Sequence, residues 1–186
     1  MPNRALIPLV RDKRRYSYAF VTGIWLIVTV YAVLHDQYLV RIAPEHFTVY
    51  HPPLWSLHNP SLLAAAWAFQ AATYPGIMLG VGCVLAARAG PWPRVGVRLV
   101  FTVVPLLVGL TELAAASSGA WVWWRGQGLY PDWLYPDGRL PLLITQTIQL
   151  TCYAAGGLCS LGVVAYLLIR RWRAQHRRQS TEGAGS

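Results

Sequence analysis

The most unusual residue in this sequence is an acid inside an otherwise apolar stretch. Glu112 interrupts residues 99–119, which carry no other charge. Inserting a carboxyl group into the bilayer centre costs about 3 kcal/mol, so such a residue is a candidate functional site. Lipid cannot satisfy such a group, so polar side chains from neighbouring apolar runs are its expected partners. The candidates for a ligand or proton site are Glu112, Gln146, Gln149, Gln70 and Asp36.

Two interpretations of this acid stay open. In the first, Glu112 is structural and forms a hydrogen-bonded pair with Gln146 or Gln149. In the second, its carboxylate handles protons, binds an ion or holds a ligand. Helical spacing places one polar face of the last apolar run opposite it, made of Thr145, Gln149, Cys152, Gly156 and Cys159.

A histidine-rich segment follows the first apolar run. Four of the five histidines lie between residues 35 and 58. Imidazole and carboxylate groups suit a divalent ion such as zinc, although their spacing matches no standard zinc signature. The candidate metal ligands are His35, Glu45, His46 and His51. The alternative is that these histidines cap the loop or lie at the membrane interface, and no other cofactor is predicted.

Recognised catalytic motifs are absent from the sequence. Its three cysteines lie within apolar runs and form no Cys-x-x-Cys pair, which argues against thiol–disulfide chemistry. Nucleophile elbows, phosphate-binding loops and paired catalytic carboxylates are absent too. Catalytic residues are therefore unknown, and an enzyme is the less favoured class.

The elements that must position these residues are membrane spans. Of the 186 residues, 55% are hydrophobic and only 12% are charged, which excludes a disordered chain and an ordinary soluble domain. We expect spans at about 16–36, 61–87, 99–119 and 140–169, outer loops at 37–60 and 120–139, and a tail at 170–186. The predicted fold is a single-domain, all-α integral membrane protein, a four-transmembrane-helix bundle with a structured extracytoplasmic cap.

The basic residues predict an orientation. Thirteen of the sixteen Lys and Arg residues fall on segments that share a side with both termini, and only Arg41, Arg125 and Arg139 fall in the outer loops. Because positive charge stays on the cytoplasmic side, both termini are expected there. The same distribution explains the net charge of +9 through contact with the lipid bilayer, so no nucleic-acid partner is predicted.

The two outer loops have different compositions. The first is compatible with a short hairpin or with a single helical turn that starts at Pro44. The second is rich in Trp and Tyr, which is typical of an aromatic belt lying on the outer leaflet. A platform on which a ligand stacks is the alternative for this second loop.

Small residues predict where helices pack. In the second apolar run they recur every fourth residue, so another backbone can approach one face of the helix closely. The predicted helix-packing residues are Ala68, Ala72, Gly76 and Gly80, with Gly156 in the last run.

The first loop resembles a loop in known proteins. It carries His35-Asp36-Gln37, then Pro44-Glu45-His46-Phe47-Thr48 and His51-Pro52-Pro53. This H-D-Q…P-E-x-F-T…H-P-P pattern is similar to one that a group of uncharacterised bacterial multi-span inner-membrane proteins places after the first span. The resemblance covers residues 25–80. It implies a multi-pass protein of the bacterial inner (cytoplasmic) membrane and implies no activity.

Three functions from different classes are compatible with the sequence. The favoured one is a non-catalytic subunit that binds a partner membrane protein or another copy of itself through the cap and the small-residue face. The second is a small oligomeric transporter or ligand-binding protein that uses Glu112. The third is a membrane enzyme with a His/Glu site at its outer face.

Overall fold

The computed structural model describes residues 14–183, and within them the chain is helical without strands. Its four long helices are α1 (Arg14–Ile42), α3 (Pro60–Arg88), α4 (Val97–Arg125) and α5 (Leu140–Gly183). A short helix α2 (Pro44–Thr48) and a 3-10 turn (Asp132–Leu134) lie in the connections. Each long helix is long and apolar enough to cross a membrane. The prediction of an all-α membrane protein with four spans is confirmed.

The bundle has two distinct ends. We call the end that carries α2 and the 3-10 turn the cap end. The opposite end carries the connection between α3 and α4 and the C-terminal part of α5, and we call it the basic end because arginines concentrate there.

The first helix is longer than predicted. It continues past residue 36 to Ile42, so residues 37–42, which were expected to begin the outer loop, are helical. Leu39 is fully buried in the apolar core of the cap end, and this burial favours continuing the helix. The helix ends just before Pro44, because a proline disfavours helical backbone in the residue before it.

The last two spans also run past their predicted ends. Helix α4 continues through the tryptophans to Arg125 and stops at Gly126, whose φ of 68° is left-handed. Helix α5 continues through most of the predicted tail, to Gly183. Hydropathy marks the apolar part of a helix, whereas these extensions are polar or aromatic helix lying beyond it.

Of the two conformations predicted for the first outer loop, the structure contains the helical turn. Pro44 lies in the first turn of α2, where its missing N–H costs nothing, and Glu45 lies near the positive end of the turn. Phe47 is fully buried against residues of α1 and α3. Helix α2 therefore covers the cap end of the bundle.

The four spans form two close pairs. Helix α1 packs along α3 and α4 packs along α5, whereas contacts between the pairs are sparser. The small-residue face of α3 lies within the first pair, and a Cβ on Gly80 would come 2.8 Å from the Cα of Val21. The buried residues of this face are Ala68, Ala72, Gly76 and Gly80. Gly76 and Gly80 of the predicted packing face thus lie against α1 of the same chain, whereas Ala68 and Ala72 border the space between the helix pairs.

Apolar cores join the two pairs at both ends of the bundle. The core at the basic end includes Phe20, Ile24, Val84, Val104 and Leu167. The core at the cap end includes Leu39, Phe47, Ala64, Ala115 and Ile148. Between these cores the pairs separate and leave a cavity.

Glycine-to-alanine changes test the contact between α1 and α3. Alanine favours a helix over glycine by up to about 1 kcal/mol, so Gly109→Ala is expected to leave stability unchanged or raise it. Gly109 is exposed on α4, and no described atom lies within 4 Å of the place of its Cβ. Gly80→Ala is expected to lower the thermal unfolding temperature in detergent, because its Cβ forces α1 away from α3. Equal unfolding temperatures for the two variants would contradict the close contact.

Candidate functional site

The Glu112 carboxylate is bonded to three side chains of α1. Its Oε2 accepts a hydrogen bond from the Tyr31 hydroxyl at 2.9 Å and lies 2.7 Å from Nδ1 of His35. Its Oε1 accepts a hydrogen bond from the Tyr38 hydroxyl at 2.9 Å. Tyr31, His35 and Tyr38 stand four and three residues apart and so share one helix face. Glu112 therefore joins α4 to α1, and with it one helix pair to the other.

This network assigns the imidazole proton of His35. With Glu112 as a carboxylate, Nδ1 carries the proton that it donates, and in the neutral imidazole Nε2 is then the acceptor. His35 is 5% exposed, and its Nε2 has no hydrogen-bond partner among the described residues. A carboxylate that orients an imidazole in this way makes the free nitrogen a good hydrogen-bond or proton acceptor.

The predicted pair between Glu112 and a glutamine is wrong. Gln149 bonds elsewhere, since its Oε1 lies 2.6 Å from Nε2 of His46 in α2. Gln146 is half-buried, and Gln70 is exposed on the side of α3 away from Ala68 and Ala72. The reason is the rotation of α4, which directs Glu112 toward α1 rather than toward α5.

A cavity of about 440 Å³ lies between the two helix pairs. All four long helices line it, and the stretch of α3 from Ala68 to Leu79 gives it a length of about 16 Å at 1.5 Å per residue. Small and aliphatic side chains form most of its wall, among them Ala72, Leu107, Gly156 and Val163. The cavity is thus elongated, apolar and of the size of typical small-molecule sites.

Polar groups line this cavity at its cap end. They include His35 and Asp36 of α1 and Gln149 of α5. Asp36 is 6% exposed, and no hydrogen bond to its carboxyl group is formed within residues 14–183. Because burial of an unpaired carboxyl group is costly, Asp36 and the free nitrogen of His35 together mark a place for an occupant.

The four predicted metal ligands do not converge on one point, although the rings of His46 and His51 are in contact, with centroids 4.7 Å apart. His35 faces Glu112, His46 faces Gln149, and His51 places its Nδ1 2.6 Å from the backbone oxygen of His46. In the part of the chain that the structure describes, no three His, Cys, Asp or Glu residues form a group that could hold a metal ion.

Glu45, the fourth predicted ligand, belongs to an exposed network that joins the two outer loops. Its Oε1 accepts from Arg139 at 3.3 Å, and Arg139 also bonds Asp137. The Tyr50 hydroxyl donates to Asp137 at 2.7 Å. The backbone N–H of Arg139 and this hydroxyl hold the pKa of Asp137 below its ordinary value.

The aromatic residues of the second outer loop divide into two sets. Tyr130 and Tyr135 dock on α5, where their hydroxyls lie 2.9 Å from the Thr151 and Thr147 hydroxyls. The tryptophans remain exposed on the outside of the bundle, and the most exposed are Trp123, Trp124 and Trp133. The tyrosines therefore anchor the loop to the bundle, and the tryptophans face outward, away from the bundle.

His46 connects the cap to the cavity. It is 2% exposed in α2, and its partner Gln149 lines the cavity. Burial lowers the pKa of His46 to about 4, and the nearby His51 acts in the same direction. The hydrogen bond with Gln149 opposes this shift without cancelling it. His46 is therefore neutral at pH 7 and part of the apolar packing of the cap.

Tyr31 and Tyr38 are the site residues that the sequence analysis missed. A tyrosine near the end of a membrane span is usually an interfacial residue, which explains the omission. Tyr31 precedes His35 by four residues and Tyr38 follows it by three, and this spacing indicates that all three lie on one face of α1.

Comparison with known proteins finds no matching family model, no matching curated protein and no matching solved structure. The resemblance of residues 25–80 to a group of bacterial membrane proteins therefore stays a prediction.

The packing of α2 is expected to weaken in acid. The pKa of His46 in the packed helix is about 4, below the ordinary 6.5 of histidine. When α2 detaches at a pH between these values, His46 therefore takes up a proton that it does not carry when packed. The stabilisation is complete above about pH 6.5 and is lost as the pH falls toward 4. Amide hydrogen exchange over residues 43–51, corrected for intrinsic rates, should therefore accelerate between pH 7 and pH 4.5.

His46→Gln is the matched variant for this prediction, because it keeps a hydrogen-bonding side chain that does not titrate. Its exchange over residues 43–51 should be nearly independent of pH in this range. An unchanged pH dependence in His46→Gln would assign the effect to another group.

Proposed function

We propose that this multi-pass membrane protein binds an elongated lipophilic molecule in the cavity between its helix pairs, with the polar head of that molecule at His35 and Asp36. The observation that carries the proposal is the pairing of an apolar cavity of about 440 Å³ with two buried groups at one end, Nε2 of His35 and the Asp36 carboxyl group, which form no hydrogen bond with the described residues. Lipid-like molecules have the matching division into an apolar body and a polar head.

The free groups define the head group. Nε2 of a neutral His35 with its proton on Nδ1 accepts a hydrogen bond, so the head that fits this tautomer donates one. A hydroxyl group donates to the imidazole and still exchanges a hydrogen bond with the Asp36 carboxyl group. We therefore favour a lipophilic alcohol over a ligand that carries only acceptors.

The route of entry is lateral. Ala71 and Pro75 of α3, and Tyr153 and Gly157 of α5, are cavity-lining residues that are also exposed. They mark an opening between α3 and α5, where the two helix pairs contact each other sparsely. A ligand dissolved in the bilayer enters through this opening without crossing water.

This proposal corresponds to the ligand-binding function that the sequence analysis placed second. The small-residue face of α3 is buried inside the bundle, with Gly76 and Gly80 against α1, so a subunit role would have to use the cap or the outward faces of the helices. Partner binding and self-association stay predictions on that basis.

The cellular setting is part of the proposal. The excess of arginine at the basic end supports an orientation with both termini in the cytoplasm and the cap outside. The resemblance of the first outer loop supports the bacterial inner membrane as the location.

Photolabelling tests the ligand site. The probe is a long-chain alcohol with a diazirine in its chain, added to the purified protein in detergent and mapped by mass spectrometry of peptides. Labelling is expected on α5 in residues 152–163, and the corresponding methyl ether should compete poorly because it cannot donate. Loss of one such hydrogen bond in His35→Ala should weaken probe binding about tenfold.

The matched variants for this experiment are Gly157→Phe and Gly109→Phe. Gly157 lines the cavity and has open space at the place of its Cβ, so a phenylalanine there fills the cavity. Gly109 is equally open but lies outside the cavity. Labelling should be lost in Gly157→Phe and kept in Gly109→Phe. Equal labelling of both variants, or label spread evenly over the outward helix faces, would contradict the proposal.

A further inference from the structure

The basic end contains a buried arginine that pairs with no carboxylate among the residues the structure describes. Arg171 of α5 is 2% exposed, and its guanidinium donates four hydrogen bonds to backbone carbonyls. The distances to the oxygens of Ala86, Ala89, Trp92 and Pro93 are 2.7, 2.6, 3.0 and 2.9 Å. These carbonyls belong to the end of α3 and the turn after it. They fix the position of the guanidinium and leave its full positive charge in place.

The surrounding charge has the same sign. All acids whose side chains the structure describes lie toward the cap or at mid-bundle: Asp36, Glu45, Glu112, Asp132 and Asp137. The described basic side chains near the opposite end are Arg15, Arg88, Arg94, Arg98, Arg170, Arg171, Arg173 and Arg177. Such a one-sided distribution creates a positive potential that attracts an anion to this end.

A small pocket lies within this potential. Its volume is about 160 Å³, and three arginines line it, namely Arg94, Arg170 and Arg171. Val95, Gly96 and Leu99 complete the wall, at the start of α4. Three arginines around one small space supply the positive charge that a phosphate group requires, and the exposed Arg94 and Arg170 are the residues that can contact it.

We propose that this pocket binds the phosphate of an anionic phospholipid. Its position at the ends of the spans is the level at which lipid phosphates lie, and the apolar Val95 and Leu99 in its wall suit the start of acyl chains. Inorganic phosphate has the same chemistry without the chains. The site is separate from the cavity at the cap end and does not depend on the ligand proposed there.

Native mass spectrometry of the full chain in detergent tests this assignment. The probes are phosphatidylglycerol, phosphatidylcholine and inorganic phosphate, each added alone. One phosphatidylglycerol molecule is expected to bind about tenfold more tightly than phosphatidylcholine. Inorganic phosphate at equal concentration should bind weakly. Phosphate that binds as tightly as phosphatidylglycerol would overturn the lipid assignment, and equal binding of the two lipids would overturn the site.

Charge variants separate a pocket from a general attraction of the basic end. Arg94→Gln and Arg170→Gln should each weaken phosphatidylglycerol binding about tenfold, whereas Arg173→Gln, also exposed on α5 but outside the pocket, should leave it unchanged. Arg171 is not substituted, because its hydrogen bonds to backbone carbonyls stabilise the end of α3. An equal effect of all three substitutions would show only diffuse electrostatic contact and would overturn the proposal.

Discussion

A carboxylate inside a membrane bundle must find its hydrogen-bond donors within the protein, and Glu112 finds three on a single face of α1. Other features of the site depend on this constraint. The contact holds α4 against α1 and so sets the relation between two helix pairs that otherwise meet mainly through apolar cores at their ends. It also fixes the orientation of His35, with a proton on its Nδ1. His35 lies between Glu112 and the cavity.

The cavity follows from how the pairs are built. Gly76 and Gly80 bring α1 and α3 into backbone contact, so these two helices behave as one unit. Helices α4 and α5 form the second unit, and the space between the units is not filled by side chains. The cap closes one end of this space through His46, whose hydrogen bond to Gln149 reaches a residue of the cavity wall. A ligand that displaced Gln149 would therefore act on the packing of α2.

Part of this architecture can be predicted from the sequence, because hydropathy and charge report on transfer from water to lipid. The four spans, the acid at position 112 and the small-residue face of α3 follow from that physics. The partner of Glu112 does not, since helix rotation decides whether it faces α1 or α5, and the apolar surfaces of α4 are too uniform to reveal the rotation. The extension of α1 past residue 36 is hidden for a related reason. Its polar residues look like a loop until the burial of Leu39 and Phe47 is known. The role of Arg171 depends on carbonyls brought to it by a distant turn.

The most direct test of the central claim is a high-resolution structure of the protein in nanodiscs made from its native membrane. An elongated density is expected in the cavity between α3 and α5, with its polar end within hydrogen-bonding distance of Nε2 of His35 and of the Asp36 carboxyl group. A cavity collapsed by closer packing of the helix pairs, with Asp36 and His35 bonded to protein groups, would contradict the account.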